Sequence, residues 1–183
     1  MEGCKMSETF QQRKVRELAE RYNNAPDEFN LINPDELYIL KQVIEHQYNH
    51  IRKSEFYFYF CDYEPYGKNP KIAHVLKDFR TGHIDIHTTG NDSQVWGAYT
   101  NLQFRAIHDF VHCGIEAEFD HESEKDVLEA QYKFALKIAG DKYNFANWDL
   151  YYKILRSEIV YQSAFKEAYG EFHIDQKIIL SDL

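Results

Sequence analysis

The chain has 183 residues, 44% of them apolar and 16% aromatic, which is enough for one compact domain with one core. Its 30 acidic side chains outnumber its 21 basic ones and give a formal net charge of -9 at pH 7, which argues against a general binder of nucleic-acid backbones. A mean hydropathy of -0.62 and the lack of a long apolar run argue against a membrane-spanning helix. Three cysteines without metal-ligand spacing favour a reduced, cytoplasmic protein.

Two helices are predicted in the first third of the chain. The first spans residues 7–22 and ends at the helix-breaking sequence 23–26, which contains two asparagines and a proline. The second spans residues 34–53, because Pro34 fits the first turn of a helix and the two acidic residues after it favour the positive helix end.

A small antiparallel sheet is predicted between residues 55 and 90. Residues 56–61 are almost all aromatic and therefore strand-like. Residues 73–79 can form a second strand, and residues 83–87 alternate between polar and apolar side chains, which is typical of a third. The connections look too short for the crossover helices that parallel strands need, so we expect antiparallel pairing.

The chain from residue 102 to residue 169 is predicted to be helical. Three helices are expected there, over residues 102–119, 123–139 and 148–169. The tail, residues 170–183, contains a possible last strand at 177–180. The predicted fold is therefore a single α+β domain over residues 1–183, mainly helical, with about five helices and the small antiparallel sheet.

The helix over 102–119 carries two histidines at the edge of its apolar face. His108 and His112 are four residues apart, so both imidazoles project from one side of the helix, about one turn apart. That is the spacing of a two-histidine metal clamp. Asp109 lies farther toward the polar side and is placed to orient a ligand.

The next two helices direct carboxylates inward. Glu124 and Gln131 fall on the inner face of one helix, and Glu158 falls on the inner face of the other, with Gln162 one turn further on. A buried carboxylate without a partner costs several kcal/mol, so an inward glutamate implies a cation, a protonated state or a hydrogen-bond network. Two imidazoles with one or two carboxylates form the ligand set of zinc, iron or manganese sites.

A purely structural interpretation stays open. A histidine pair on one helix is often only part of a core, and Glu158 can pair with Arg105 or a tyrosine in an ordinary buried network. His46 and His50 have the same spacing, but they lie opposite an apolar stripe and are predicted to be exposed, as is Glu129.

The C-terminal half of the chain also resembles a known group of proteins. The residues concerned are Phe104-Arg105-Ala106-Ile107-His108-Asp109, Phe119, Ser123-Glu124, and Ser157-Glu158 through Gln162. They are similar to an uncharacterised family of bacteriophage and bacterial proteins with the pattern F-R-A-x-H-D, a second His, Gly-Glu and Thr-Glu-x-x-Gly-Gln. This chain departs from that pattern at Ser123, Ser157 and Tyr161. The resemblance implies a phage origin, a location in the host cytoplasm, and a polar constellation at His108, Asp109, His112, Glu124, Glu158 and Gln162.

These observations predict a small metal-dependent enzyme, most simply a hydrolase. A divalent metal (zinc, iron or manganese) is expected on His108 and His112, with Glu124 or Glu158 completing its shell and the other glutamate acting as general base. The expected catalytic residues are Glu158, Glu124 and Asp109. The expected substrate-binding residues are Gln162, Arg105 and Gln131.

The substrate is expected to be a small molecule, nucleotide-like if the protein comes from a phage. The alternative is an acidic protein that binds and inhibits a host protein without catalysis, its carboxylates meeting basic residues of the partner. A third possibility is a structural domain whose inward polar groups only fix the packing of the core.

Overall fold

The computed structural model of the protein describes residues 8–173 and 176–183. Seven α-helices are found in this part of the chain: α1 (Phe10–Asn24), α2 (Pro34–Arg52), α3 (Ile72–Phe79), α4 (Gly97–Ile115), α5 (His121–Ala139), α6 (Trp148–Arg156) and α7 (Gln162–Tyr169). Two strands, β1 (Tyr57–Cys61) and β2 (His83–His87), form a small sheet. The fold is therefore α+β and mainly helical, as the sequence predicts. The expected start of the first helix at residue 7 and part of the tail, residues 174 and 175, lie outside the described residues.

The prediction of an antiparallel sheet is wrong, because β1 and β2 are parallel. Tyr57 pairs with His83 at one end and Cys61 with His87 at the other. Residues 73–79 belong to helix α3 rather than to a strand. The buried side chains of α3 are Ile72, Val75 and Leu76, which follow helical spacing. Since α3 supplies the crossover that a parallel pair requires, one misassigned segment accounts for the wrong strand direction.

Helices α4 and α5 are joined by a tight reversal. Helix α4 begins five residues before the predicted start at 102 and ends at Ile115, because Glu116 adopts a left-handed conformation with φ of 53°. Helix α5 begins two residues before its predicted start, because the Asp120 carboxylate accepts a hydrogen bond from the Ser123 N–H. The two helices are consequently close neighbours that run in opposite directions.

The helix predicted over 148–169 exists, but it is interrupted. A π turn at Ser157–Tyr161 separates α6 from α7. The tail does not form the predicted strand at 177–180. It is held instead by side chains, since Ser157 Oγ accepts the Ile179 N–H at 3.0 Å and Asp27 accepts the Ile178 N–H at 3.0 Å.

One hydrophobic cluster connects most of these elements. Helix α5 packs against α2, α4 and the π turn, and α1 packs along α7. Ile107 of α4, Val127 of α5 and Ile154 of α6 are fully buried at the centre. Polar side chains that share a face with these residues are therefore held inside the protein. None of the described helices is long and apolar enough to span a membrane.

Candidate metal centre

Helix α4 brings two histidines side by side, as the sequence predicts. The Nε2 atoms of His108 and His112 lie 3.1 Å apart. The His112 side chain is fully buried and that of His108 is 18% exposed. Aromatic rings support both imidazoles, with Phe104 stacked on His108 at 6.2 Å and Phe119 against His112 at 4.5 Å between ring centroids. The pair is thus rigidly placed, with an opening to solvent on the side of His108.

The reversal between α4 and α5 brings Glu124 to this pair. Its Oε2 atom lies 3.4 Å from Nε2 of His108 and 3.4 Å from Nε2 of His112. The Glu124 side chain is 11% exposed, in agreement with its predicted burial. Among the described residues, the cluster of side chains able to hold a metal comprises His108, His112 and Glu124.

The spacing of the three donor atoms matches a small cation. Points 3.1 to 3.4 Å apart lie on a circle with a radius of about 1.9 Å. Zinc binds imidazole nitrogen and carboxylate oxygen at about 2.0–2.2 Å. The three atoms are therefore spaced so that a single ion of this size could be held by all of them.

The second nitrogen of each imidazole determines where its lone pair points. Nδ1 of His112 lies 3.2 Å from the Ala117 carbonyl, which can only accept, so this nitrogen carries the hydrogen. Nδ1 of His108 donates in the same way to Oε1 of Gln131 at 3.3 Å. Both Nε2 lone pairs then face Glu124 Oε2, which is buried and has no hydrogen-bond partner of its own. With both imidazoles neutral in this form, three acceptors meet at one point, and a cation between them would stabilise the arrangement.

The charges at this site favour a bound cation. Burial alone would raise the pKa of Glu124, but the two neighbouring imidazoles outweigh it and hold that pKa well below its ordinary range. Burial alone would lower the pKa of His108, but the Glu124 carboxylate outweighs it and the net shift is upward. Glu124 therefore favours its ionised form, and its carboxylate favours a positive charge beside it, whether a proton on His108 or a metal ion.

Gln131 fixes the orientation of His108 from the side opposite the metal position. Its side chain is completely buried on α5, and its Oε1 accepts from His108 Nδ1. Groups that hold a ligating histidine in this way tune metal affinity. The sequence assigned Gln131 to substrate binding, whereas its contact in the structure is with the histidine.

Replacing Gln131 with leucine should weaken metal binding about 10- to 100-fold, because His108 Nδ1 would lose its acceptor. Titration of the metal-free protein with zinc against a competing chelator measures this change. Gln162→Leu is the matched control, since Gln162 is also buried but lies on α7 and is not a member of the three-donor cluster. Unchanged affinity in Gln131→Leu would remove the residue from the metal centre.

Asp109 and Arg105 lie beside the cluster on the same helix. The charge of Asp109 acts on both His108 and His112, and burial raises the pKa of Asp109. Nη1 of Arg105 donates to the Thr89 carbonyl at 3.1 Å. Asp109 is therefore a further carboxylate near the cluster of His108, His112 and Glu124, but it is not a member of that cluster.

Glu158 does not take the predicted place beside the histidines. Among the described residues, those whose donor atoms lie within 4.8 Å of one another are His108, His112 and Glu124, and Glu158 does not belong to this group. It lies on the π turn, where burial alone raises its pKa to about 7, and its charge acts on Tyr22. A π turn holds more residues per turn than an α-helix, so the period of 3.6 residues does not predict the direction in which its side chains point. Gln162 follows the π turn and is buried with an unpartnered Nε2.

Two of the three polar residues that the sequence predicts to be exposed, His46 and Glu129, are partly buried. His50 is exposed as predicted, but His46 is half-buried, with Nε2 3.1 Å from the Ile138 carbonyl. The Glu129 side chain is 47% exposed and its Oε1 accepts from the Tyr152 hydroxyl at 2.7 Å. Contacts from α5 and α6, which single-helix periodicity does not include, cover these residues.

In comparisons with known proteins, no family model, no curated protein and no solved structure matches this chain. The functional assignment therefore rests on the geometry of His108, His112 and Glu124.

Proposed function

We propose that this protein is a metal-dependent hydrolase with one zinc ion held by His108, His112 and Glu124. The observation that carries the proposal is the convergence of three potential ligand atoms at 3.1 to 3.4 Å from one another. Structural zinc sites use four protein ligands, whereas hydrolytic sites use three and leave a position for water. Two histidines and one glutamate form a hydrolytic set of this kind.

The surrounding residues have defined roles in this proposal. A bound zinc ion lowers the pKa of its water to about 7 and so supplies a nucleophile at neutral pH. Asp109 would accept the proton of that water, because it follows His108 directly on α4 and its charge acts on both histidines. Gln131 orients His108, and the partial exposure of His108 and Glu124 gives the substrate access. Glu158, the alternative general base, lies on the π turn and not on the helix that carries the two histidines.

Metal analysis of the purified protein tests the proposal. We expect one equivalent of zinc per chain, and loss of most of it in Glu124→Gln, which keeps the shape of the side chain but removes the anionic ligand. Glu122→Gln is the matched control, because Glu122 lies in the same first turn of α5 and is exposed. Hydrolysis of a panel of carboxyl and phosphate esters should stop with a chelator and return with zinc.

Two results would contradict the proposal. Wild-type protein that binds neither zinc, iron nor manganese has no metal centre, and the alternative of an acidic binding protein would then lead. Equal metal content in Glu124→Gln and Glu122→Gln would place the ion elsewhere. A content of iron or manganese instead of zinc would keep the site but change the reaction class.

A further inference from the structure

A polar seam on helix α4 leads from the surface to the metal centre. Arg105, His108, Asp109 and His112 lie within about 100° of one another around the helix axis, because each residue advances about 100°. Arg105 and Asp109 are half-buried, the His108 side chain is 18% exposed, and His112 is completely buried. Phe119 covers the inner end at His112. The partly exposed residues of this face therefore include Arg105, which lies about one helical turn from His108.

Most hydrogen-bond donors of the Arg105 guanidinium are unused by the described residues. A guanidinium carries five N–H donors, and the hydrogen bond from Nη1 to the Thr89 carbonyl uses one of them. The described residues provide no carboxylate at ion-pair distance from it. Its charge acts on Asp109 without forming a direct pair. A guanidinium with spare donors, about one helical turn from a bound divalent ion, would favour an anionic ligand that reaches both charges.

We infer, building on the proposed function, that the substrate is a phosphate monoester and that Arg105 binds its phosphate group beside the metal. A guanidinium takes two oxygens of an oxyanion in a bidentate fashion. A phosphate group has a third oxygen left for the metal, whereas a carboxylate has only two in all. The three terminal oxygens of a phosphate monoester thus suit a metal and an arginine on one helix face better than a carboxylate does.

The reaction follows from these contacts. A metal held by the three ligands would activate a water molecule to attack phosphorus as the P–O bond to the alcohol breaks. Asp109 would take up the proton of that water and pass it to the leaving alcohol. The products are the free alcohol and inorganic phosphate, so no further reactant is needed. Inorganic phosphate should consequently bind the site as a product.

Cobalt-substituted protein allows this to be measured without any knowledge of the alcohol. Cobalt(II) in the site gives a visible spectrum, and binding of inorganic phosphate should change it. We expect Arg105→Gln to weaken phosphate binding about 10- to 100-fold, as for loss of charged hydrogen bonds. Arg105→Lys should recover part of the affinity, since it keeps the charge but loses the fork. Arg13→Gln, on the exposed face of α1, is the control and should bind phosphate like the wild type.

The outcomes separate the inference from the proposed function. If no cobalt spectrum develops, the metal centre itself is absent and the proposed function fails. If the spectrum develops but inorganic phosphate leaves it unchanged, or if Arg105→Gln binds phosphate as well as the wild type, the phosphate inference is overturned and the metal centre stands. Acetate binding more tightly than phosphate would equally overturn it, in favour of a carboxylate substrate. An unchanged cobalt spectrum in Arg105→Gln before addition of phosphate shows that the variant is folded.

Discussion

Zinc should raise the stability of the metal-free protein by about 4 kcal/mol when the free ion is present at about 1,000 times its dissociation constant. For a chain of this length the corresponding rise in Tm is about 8–16 °C, at about 2–4 °C per kcal/mol. The physical reason is that the three donors converge only in the folded chain, since His108 and His112 belong to α4 and Glu124 belongs to α5. Thermal unfolding followed by circular dichroism, with and without zinc, measures the effect.

His112→Gln should remove most of this stabilisation, because it deletes the donor that is most deeply buried. The variant is compared with itself in the absence of zinc, so any loss of stability from the altered core cancels. His50→Gln is the control, because His50 is exposed on α2 and should leave the zinc effect at its full size. A rise in Tm of equal size in His112→Gln and in the wild type would mean that zinc binds to other groups.

The free energy of unfolding of Glu158→Gln, relative to that of the wild type, should be about 3 kcal/mol greater at pH 8 than at pH 4.5. Burial raises the pKa of Glu158 to about 7 from its ordinary value near 4.5, and each unit corresponds to about 1.36 kcal/mol. A carboxyl group whose pKa is raised by folding contributes stability that is fully present below about pH 4.5 and is lost as the pH rises through about 7. Glutamine does not ionise, so the variant lacks this loss.

Urea unfolding of both proteins at several pH values between 4.5 and 8 tests this prediction. The difference in the free energy of unfolding at pH 4.5 gives the baseline, since in the folded proteins both side chains are then neutral. The gap should widen as the pH rises, because Oε1 of Glu158 is buried without a hydrogen-bond partner. Glu122→Gln, at an exposed position, should show no such trend. A constant gap between the wild type and Glu158→Gln would mean that a cation neutralises the carboxylate in solution.

The sequence by itself determined much of the local structure. Helical periodicity placed His108 and His112 on one side of α4 and turned Glu124 inward on α5, and the structure has both features. The aromatic segment around Phe58 and the alternating segment around Ile84 were predicted as strands and are strands. These features depend on side-chain spacing within a few turns or residues, which a sequence displays directly.

Tertiary structure alone decided which elements meet. Glu124 and Glu158 are both inward-facing by periodicity, but the short reversal after Ile115 brings Glu124 to the histidines, whereas Glu158 lies on the π turn and outside the donor cluster. The direction of the sheet likewise depended on whether α3 forms between the strands. Spacing along one element fixes the face on which a side chain lies. It does not fix the partner of that face, because the partner depends on the path of the connecting chain and on contacts between residues far apart in sequence.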